Sequence, residues 1–415
     1  MRASLLSILT LASAAALAAE DWPQFRGPRQ GVSGEAGLPL RWSASSGLAW
    51  KTRLPGPGHS SPIVWGDRIF LTAFEPRGAM GNLIWWRSGR LLVVCLEASS
   101  GRLLWQHEVP APQIEALHST NAPASPTPVT DGQRVYAYFG SFGLVALDFQ
   151  GRKVWEKALG PFPNDWGSAS SPILHGDLLL LNCDTDGDDF LLALDKATGR
   201  QVWKASRTGA TRSWPTPMVW SVDGADQIVV SGSGRVKAYD PKNGRELWSV
   251  EGLTTWVTPT PTAAHHLLYV ASNGPGGNLV MAIRPGGRGD VTGSHVAWRY
   301  DKAAPYSSSP VVVGDHLYTV KNGGVMTCFD ARSGAVLWQE RLPARGSYYA
   351  SLVAGEGRVY ALSEEGEATV LQAGKTFKVL ASNALGERTM ATPAISGGRL
   401  FIRSDETLFA IAGER

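Results

Sequence analysis

Cysteine is scarce in this chain. Cys95, Cys183 and Cys328 are the only three among 415 residues, and no two are adjacent. That excludes a disulfide scaffold and a Cys/His zinc module, and a chain this long buries enough surface to fold without cross-links. Charge of one sign is also lacking: 39 basic and 36 acidic residues leave a net charge of +3. A nucleic-acid footprint needs a concentrated basic stripe, so no nucleic-acid partner is expected. Beyond residue 19 no apolar run approaches the ~20 residues that span a bilayer. Walker loops and G-x-S-x-G elbows are absent as well, which removes two common catalytic frames.

The first residues form a class of their own. Arg2 supplies a charged start, Leu5 to Leu17 an apolar stretch, and the alanines around Ala16-Leu17-Ala18 a small-residue cleavage site. This pattern predicts a signal peptide over residues 1–19, removed after Ala18 or Ala19. No cysteine follows it, so a lipid-anchored form is not expected. The expected destination is the periplasm or the extracellular space.

Tryptophan, by contrast, is abundant, with 16 copies. Most of the surplus lies in a recurring A-x-D-x-x-T-G-x-x-x-W motif. Its full form is ALDKATGRQVW, ending at Trp203. Near copies end at Trp248 (AYDPKNGRELW), Trp338 (CFDARSGAVLW), Trp105 (CLEASSGRLLW) and, one residue shorter, Trp155 (ALDFQGRKVW). A sixth copy, with an insertion, ends at Trp298. The spacing of 40–50 residues between successive tryptophans is the period of propeller blades. Cys95 and Cys328 take the motif position held elsewhere by Ala146, Ala193 and Ala238, which predicts small buried core residues.

Each unit begins with a Ser/Thr-Pro pair: Ser61-Pro62, Thr127-Pro128, Ser171-Pro172, Thr216-Pro217, Thr260-Pro261, Ser309-Pro310 and Thr392-Pro393. Proline is tolerated at a strand's first residue. Apolar runs such as RIFLTAF and DLLLLNC follow between turn signals and read as strands. The expected unit is a four-stranded antiparallel meander, repeated over 60–109, 124–159, 170–206, 213–252, 257–301, 307–342 and 348–385. A last unit, 391–415, stops one strand short. The missing strand is at the other end of the chain, in GLAWKTRLP (47–55), where Trp50 matches the motif tryptophan. The reading is an all-β, eight-bladed propeller over 47–415, closed by its N-terminal strand, with residues 20–46 as an arm across the outside or one face. Trp50, Trp105, Trp155, Trp203, Trp248, Trp298 and Trp338 are expected to dock between blades, each indole N–H finding a polar partner.

The motif resembles the tryptophan-docking repeat of the pyrroloquinoline-quinone (PQQ) propeller superfamily, over residues 47–415. The resemblance implies eight four-stranded blades and one of two kinds of function. Quinoprotein alcohol dehydrogenases of the superfamily hold PQQ and calcium above the channel. A propeller of the outer-membrane barrel assembly machine binds protein and no quinone. The WPQFRGP start and the HSSPIVWGDRIFLT strand pair also resemble secreted PQQ-like repeat proteins. The adjacent cysteine pair found beside the quinone in many of the dehydrogenases is missing here, and the insertions (75–90, 273–278 and 284–294) are small.

In a propeller the loops from each fourth strand to the next first strand gather around one channel mouth, which is the natural ligand site. Here they carry His59, His118, Asn121, Trp166, Arg212, Trp214, Trp256, Tyr306, Tyr348, Tyr349 and Arg388. Aromatic walls with Arg212 and Arg388 suit a small planar anionic ligand, by stacking and ion pairing. They equally suit an extended peptide of a protein partner. A second candidate is the DTDGDD loop, whose Asp184, Asp186, Asp188 and Asp189 alternate around a glycine as in a calcium loop. No glutamate stands at the twelfth position, and a solvated acidic turn is the alternative. The expected function is a monomeric, non-catalytic binding module without a cofactor. The competing expectation is a periplasmic PQQ- and calcium-dependent oxidoreductase.

Overall fold

The computed structural model describes residues 19–76, 89–111, 117–163 and 165–413. The expected signal peptide and most of the 75–90 insertion lie outside the described residues. Among these residues the chain is built of strands. Helix is confined to a four-residue turn at Thr292–His295 and a 3-10 turn at Gly140–Phe142.

Eight antiparallel sheets follow one another in sequence. Blade 1 is Ile63–Trp65, Arg68–Pro76, Gly89–Glu97 and Leu103–Val109. Blade 2 is Val129–Thr130, Arg134–Tyr138, Leu144–Asp148 and Lys153–Lys157. Blade 3 is Ile173–His175, Leu178–Cys183, Phe190–Asp195 and Gln201–Ser206. Blade 4 runs from Met218–Val222 to Glu246–Glu251, blade 5 from Thr262–Ala264 to Val296–Tyr300, and blade 6 from Val311–Val313 to Val336–Arg341. Blade 7 runs from Val353–Gly355 to Val379–Ala384. Blade 8 combines Ala394–Ser396, Arg399–Arg403 and Thr407–Ile411 with Leu48–Arg53. In that last sheet Trp50 pairs with Ala410 and Thr52 with Leu408. The N-terminal strand therefore closes the ring and leaves no open sheet edge between first and last units.

The repeat motif explains itself in blade 3. Asp195 Oδ1 accepts from Thr198 N at 2.8 Å and Thr198 Oγ1 at 2.7 Å, shaping the turn. Gly199 follows at φ +71°, under the Trp155 ring of the preceding blade, where a Cβ would come within 2.7 Å. The glycine thus meets two demands at once, left-handed backbone and close approach. The indole N–H donates to a carbonyl of the next blade: Trp50 to Ala98, Trp105 to Phe149, Trp155 to Lys196, Trp203 to Pro241, Trp298 to Ala331 and Trp338 to Gly374. Trp248 departs from the expectation. It donates to Gln227 Oε1 of its own blade at 2.7 Å and meets Trp220 edge-on at 6.1 Å. The 284–294 insertion is the physical reason, because it lays Gly289–Asp290 alongside Trp248–Ser249 as an extra strand.

The Ser/Thr-Pro starts form a belt around the channel. Ser61 N donates to Thr127 Oγ1, Thr127 N to Ser171 Oγ, and Ser171 N to Thr216 Oγ1, at 2.9–3.1 Å. Thr216 N then donates to Thr260 Oγ1, Thr260 N to Ser309 Oγ, Ser309 N to Ser351 Oγ and Ser351 N to Thr392 Oγ1, at 2.9–3.1 Å. A short side-chain oxygen accepts here in place of a ladder carbonyl, and Ser or Thr supplies it at every start, Ser351 standing before a leucine rather than a proline. At the remaining junction, between blades 8 and 1, Arg403 donates to Ser60 O at 3.1 Å, Ser60 Oγ at 2.6 Å and Thr72 O at 2.7 Å.

Residues 20–46 work at the channel end opposite the 4→1 loops. Trp22 bridges to Val64, Thr130 N donates to Pro23 O, and Val32–Ser33 adds a parallel strand to Ala354–Gly355. The later part runs along blade 7, where Tyr360 donates to Pro39 O at 3.0 Å and Asn383 accepts from Trp42 N at 2.9 Å. The three cysteines are buried and unbridged. Burial pushes the Cys95 thiol up to about 11 and the Cys328 thiol up to about 12, so both are un-ionised core residues.

Candidate functional site

The 4→1 loops meet at one end of the channel around a cavity of about 170 Å³. Of the residues expected there, His59, His118, Asn121, Trp166, Trp214 and Tyr306 line it, together with Tyr349. They span almost 300 residues of sequence and are brought together by the ring alone.

An aromatic wall comes from blades 2 to 5. The His118 ring stacks on Trp166 with centroids 4.3 Å apart and planes 16° from parallel. Trp166 in turn packs against Trp256 at 5.3 Å and Trp214 at 6.2 Å. Trp256 packs on this wall but does not line the cavity. Hydrogen bonds fix these rings in place. Trp214 Nε1 donates to Gly167 O at 2.9 Å, and His118 Nδ1 lies 2.8 Å from Thr120 Oγ1. Asn121 is a positioning residue. Its Nδ2 donates to Trp166 O at 2.7 Å, and its Oδ1 accepts from Ala122 N at 2.8 Å and from Ser125 Oγ.

The opposite wall holds Tyr306, Tyr349, His59 and Met390. Burial, with Tyr349 close by, raises the Tyr306 phenol above its ordinary range. Tyr348 does not take part. It is fully buried in the core of blades 6 and 7, and its hydroxyl donates to Ala344 O at 3.1 Å. Neighbouring residues of an extended segment point to opposite sides, so only one of the two tyrosines reaches the mouth.

Both expected cations are already paired. Arg212 Nε donates to Asp186 Oδ1 at 2.7 Å. Arg388 Nη1 lies 3.4 Å from Asp405 Oδ2, and His59 Nε2 lies 3.5 Å from Asp405 Oδ1. Neither arginine lines the cavity. Burial holds the His59 imidazole below its ordinary value against the pull of Asp405, with Arg388 and Arg403 adding to the fall. Burial pushes the Asp405 carboxyl up, but His59 and the Arg388 guanidinium beside it outweigh this and hold it below the usual range. Asp405 was not legible as a mouth residue, because it sits in a 2→3 loop with no motif around it.

The DTDGDD acids do not converge on a point. Asp184 is buried and takes a two-pronged bond from Arg207, Nε to Oδ1 at 2.9 Å and Nη2 to Oδ2 at 3.0 Å. Asp186 faces Arg212, Asp188 is exposed, and Asp189 accepts from Thr185 N at 3.0 Å. Among the described residues no group of three or more His, Cys, Asp or Glu side chains could hold a metal ion. Two arginines, 23 and 26 residues further along, take Asp184 and Asp186 instead of a shared centre.

A PQQ-like propeller with an aromatic mouth is the class that this fold and site define. The family model described as "Outer membrane protein assembly factor BamB" matches residues 23–165, 74–216 and 187–413, and the chain belongs to that family. Among relatives, the polyvinylalcohol dehydrogenase of Sphingopyxis sp. (strain 113P3) is 23% identical over 76% of this chain and 49% of its own length. BamB of Yersinia pestis is 20% identical over 67% of this chain and 71% of its own. The chain spans only 34% and 49% of the lengths of two polyvinylalcohol dehydrogenases that it matches. The crystal structure of BamB from Moraxella catarrhalis superposes with a TM-score of 0.62 at 16% identity, over 87% of this chain and 97% of that one. At that identity it speaks to the fold alone. No helix among the described residues is long and apolar enough to cross a membrane.

Proposed function

We propose that this protein is an exported, non-catalytic binding propeller whose mouth holds an extended peptide segment of a partner protein. The observation that carries this reading is the pairing of both mouth arginines with aspartates beside an unobstructed aromatic wall. With Arg212 on Asp186 and Arg388 on Asp405, an anionic ligand loses its counter-charges. The stacked His118–Trp166 pair, Trp214 and Tyr349 remain as surfaces for apolar and aromatic side chains. Catalysis has little to work with. His59 and Asp405 form a His–Asp pair, but among the described residues no hydroxyl or thiol is hydrogen-bonded to His59 as a nucleophile would be. The BamB relatives, named as assembly factors, agree with a protein partner.

The relatives named polyvinylalcohol dehydrogenase favour a second reading, a quinone-dependent oxidoreductase. The residues present do not fit the group it requires. PQQ carries several carboxylates and is held with calcium in the superfamily, whereas the cations here are already paired and the described acids do not cluster. The readings separate in one experiment. Purified protein is incubated with PQQ and calcium and passed through gel filtration. The binding-module reading expects no quinone absorbance in the protein peak, and co-elution of one quinone per chain would overturn it.

A further inference from the structure

The end of the channel opposite the mouth carries a buried charge with no counter-charge. Arg26, in the WPQFRGP segment, reaches into the channel and is only 2% exposed. Its Nη2 donates to Gln30 O at 2.7 Å and to Pro310 O, the residue after belt member Ser309. Its Nε is buried without a partner. Burial pushes the guanidinium down to about 9, with no carboxylate to raise it. That still leaves it protonated at neutral pH. An isolated charge in a low-dielectric interior costs several kcal/mol, so buried charges are paired. Of the other two fully buried arginines, Arg207 is paired with Asp184, while Arg403 makes no ion pair among the described residues and has only the field of Asp405 to raise it.

Arg26 lines a cavity of about 130 Å³ between the arm and blades 3 to 5. Besides Arg26, its polar side chains are Gln24, whose Nε2 donates to Gly27 O at 3.3 Å, Gln30, Thr216 and Thr260. Gln30 Oε1 already accepts from Thr262 Oγ1 at 2.7 Å and Ala263 N at 2.6 Å, which leaves its Nε2 as the donor. The belt hydroxyls of Thr216 and Thr260 accept from the amides of Ser171 and Thr216. Each keeps a proton with no acceptor among the described residues. No Asp, Glu or His lines the space.

We propose that this cavity binds one small inorganic anion of the chloride class, held by Arg26, Gln30, Thr216 and Thr260. One buried cation with no carboxylate beside it calls for a single negative charge. A halide fits within this volume. Bound there, the anion ties the arm to the inner strands of blades 3 to 5. It would stabilise the closed end without touching the mouth, so the proposal stands independently of the proposed function.

The test uses the full mature chain, dialysed into gluconate, a bulky organic anion in place of a halide. Replacing gluconate by chloride at constant ionic strength should raise Tm saturably, by about 2 °C or more. Crystals soaked in bromide should show an anomalous peak within hydrogen-bond reach of Arg26. Gln30→Glu places a carboxylate beside the guanidinium and keeps an acceptor oxygen for Thr262 and Ala263. That variant should fold in gluconate with a Tm at or above wild type, lose the chloride response and lose the bromide peak. The proposal is overturned if wild type shows neither response nor peak, or if Gln30→Glu responds to chloride as strongly as wild type does.

Discussion

Trp50 faces Ala410 across a strand pair whose two members lie 360 residues apart in the chain. The same indole donates to Ala98 O of blade 1 at 3.0 Å and packs on Phe401 with centroids 5.9 Å apart. One side chain therefore joins the closing strand, the last blade and the first. Trp50→Ala should lower unfolding stability by about 3 kcal/mol, the ordinary cost of removing a large packed ring. Removing residues 20–55 should prevent a cooperative transition altogether. Chemical denaturation followed by tryptophan fluorescence measures both, and an unchanged midpoint in the truncated chain would contradict the closure.

The departure of Trp248 from the docking pattern gives a second prediction. Trp203 spans two blades through Pro241 O, whereas Trp248 bonds Gln227 inside its own blade. Trp203→Phe should lose an interblade hydrogen bond, a cost of about 1 kcal/mol. Gln227→Leu should cost a similar amount only while Trp248 is present. A double-mutant cycle on Trp248 and Gln227 measures this, and zero coupling would contradict the assignment.

Much of this architecture was legible in advance, for a physical reason. Blade packing repeats the same contacts, so the motif tryptophan, the turn glycine and the Ser/Thr-Pro start recur at one period, and the unmatched Trp50 strand pointed to closure. The mouth was legible only as a set of loop positions. Which neighbour of the Tyr348–Tyr349 pair faces the cavity depends on the local twist of the chain. That Asp186 and Asp405 neutralise Arg212 and Arg388 depends on loops meeting in space, which spacing does not encode. How the acids of the DTDGDD run are partnered was not legible either, because the arginines that take Asp184 and Asp186 lie in another loop.

The Asp184–Arg207 pair is buried on both sides, with side chains 0% and 1% exposed. Arg207→Met leaves a buried carboxylate alone and should cost about 3–5 kcal/mol, while Arg207→Met with Asp184→Leu should recover much of that. Calcium or a chelator should leave the wild-type Tm unchanged. A calcium-dependent rise in Tm would restore the metal reading of this loop.

Acid sensitivity should start at the mouth. The His59 imidazole is held below its unfolded value of 6.5, so the unfolded chain takes up the proton first as pH falls. Its contribution to stability is present above that value and is lost progressively below it. Asp405, held below its unfolded value of 3.8, keeps its contribution above that value and loses it only at lower pH, as the folded carboxyl takes up its proton. Between about pH 7 and about pH 5, wild-type Tm should therefore fall more steeply than that of His59→Gln. Parallel Tm–pH profiles would contradict the assignment.

The central claim is that the aromatic mouth grips peptide. A random peptide library panned on the immobilised protein supplies the probe, and the enriched peptide is then titrated against wild type and against Trp166→Ala with Tyr349→Ala. The account predicts an enriched sequence family carrying aromatic or apolar residues. It also predicts an affinity loss of more than about thirtyfold in the double variant, with Tm nearly unchanged. Panning that enriches no family, or a double variant that binds as wild type does while its Tm collapses, would show that these rings only plug the channel.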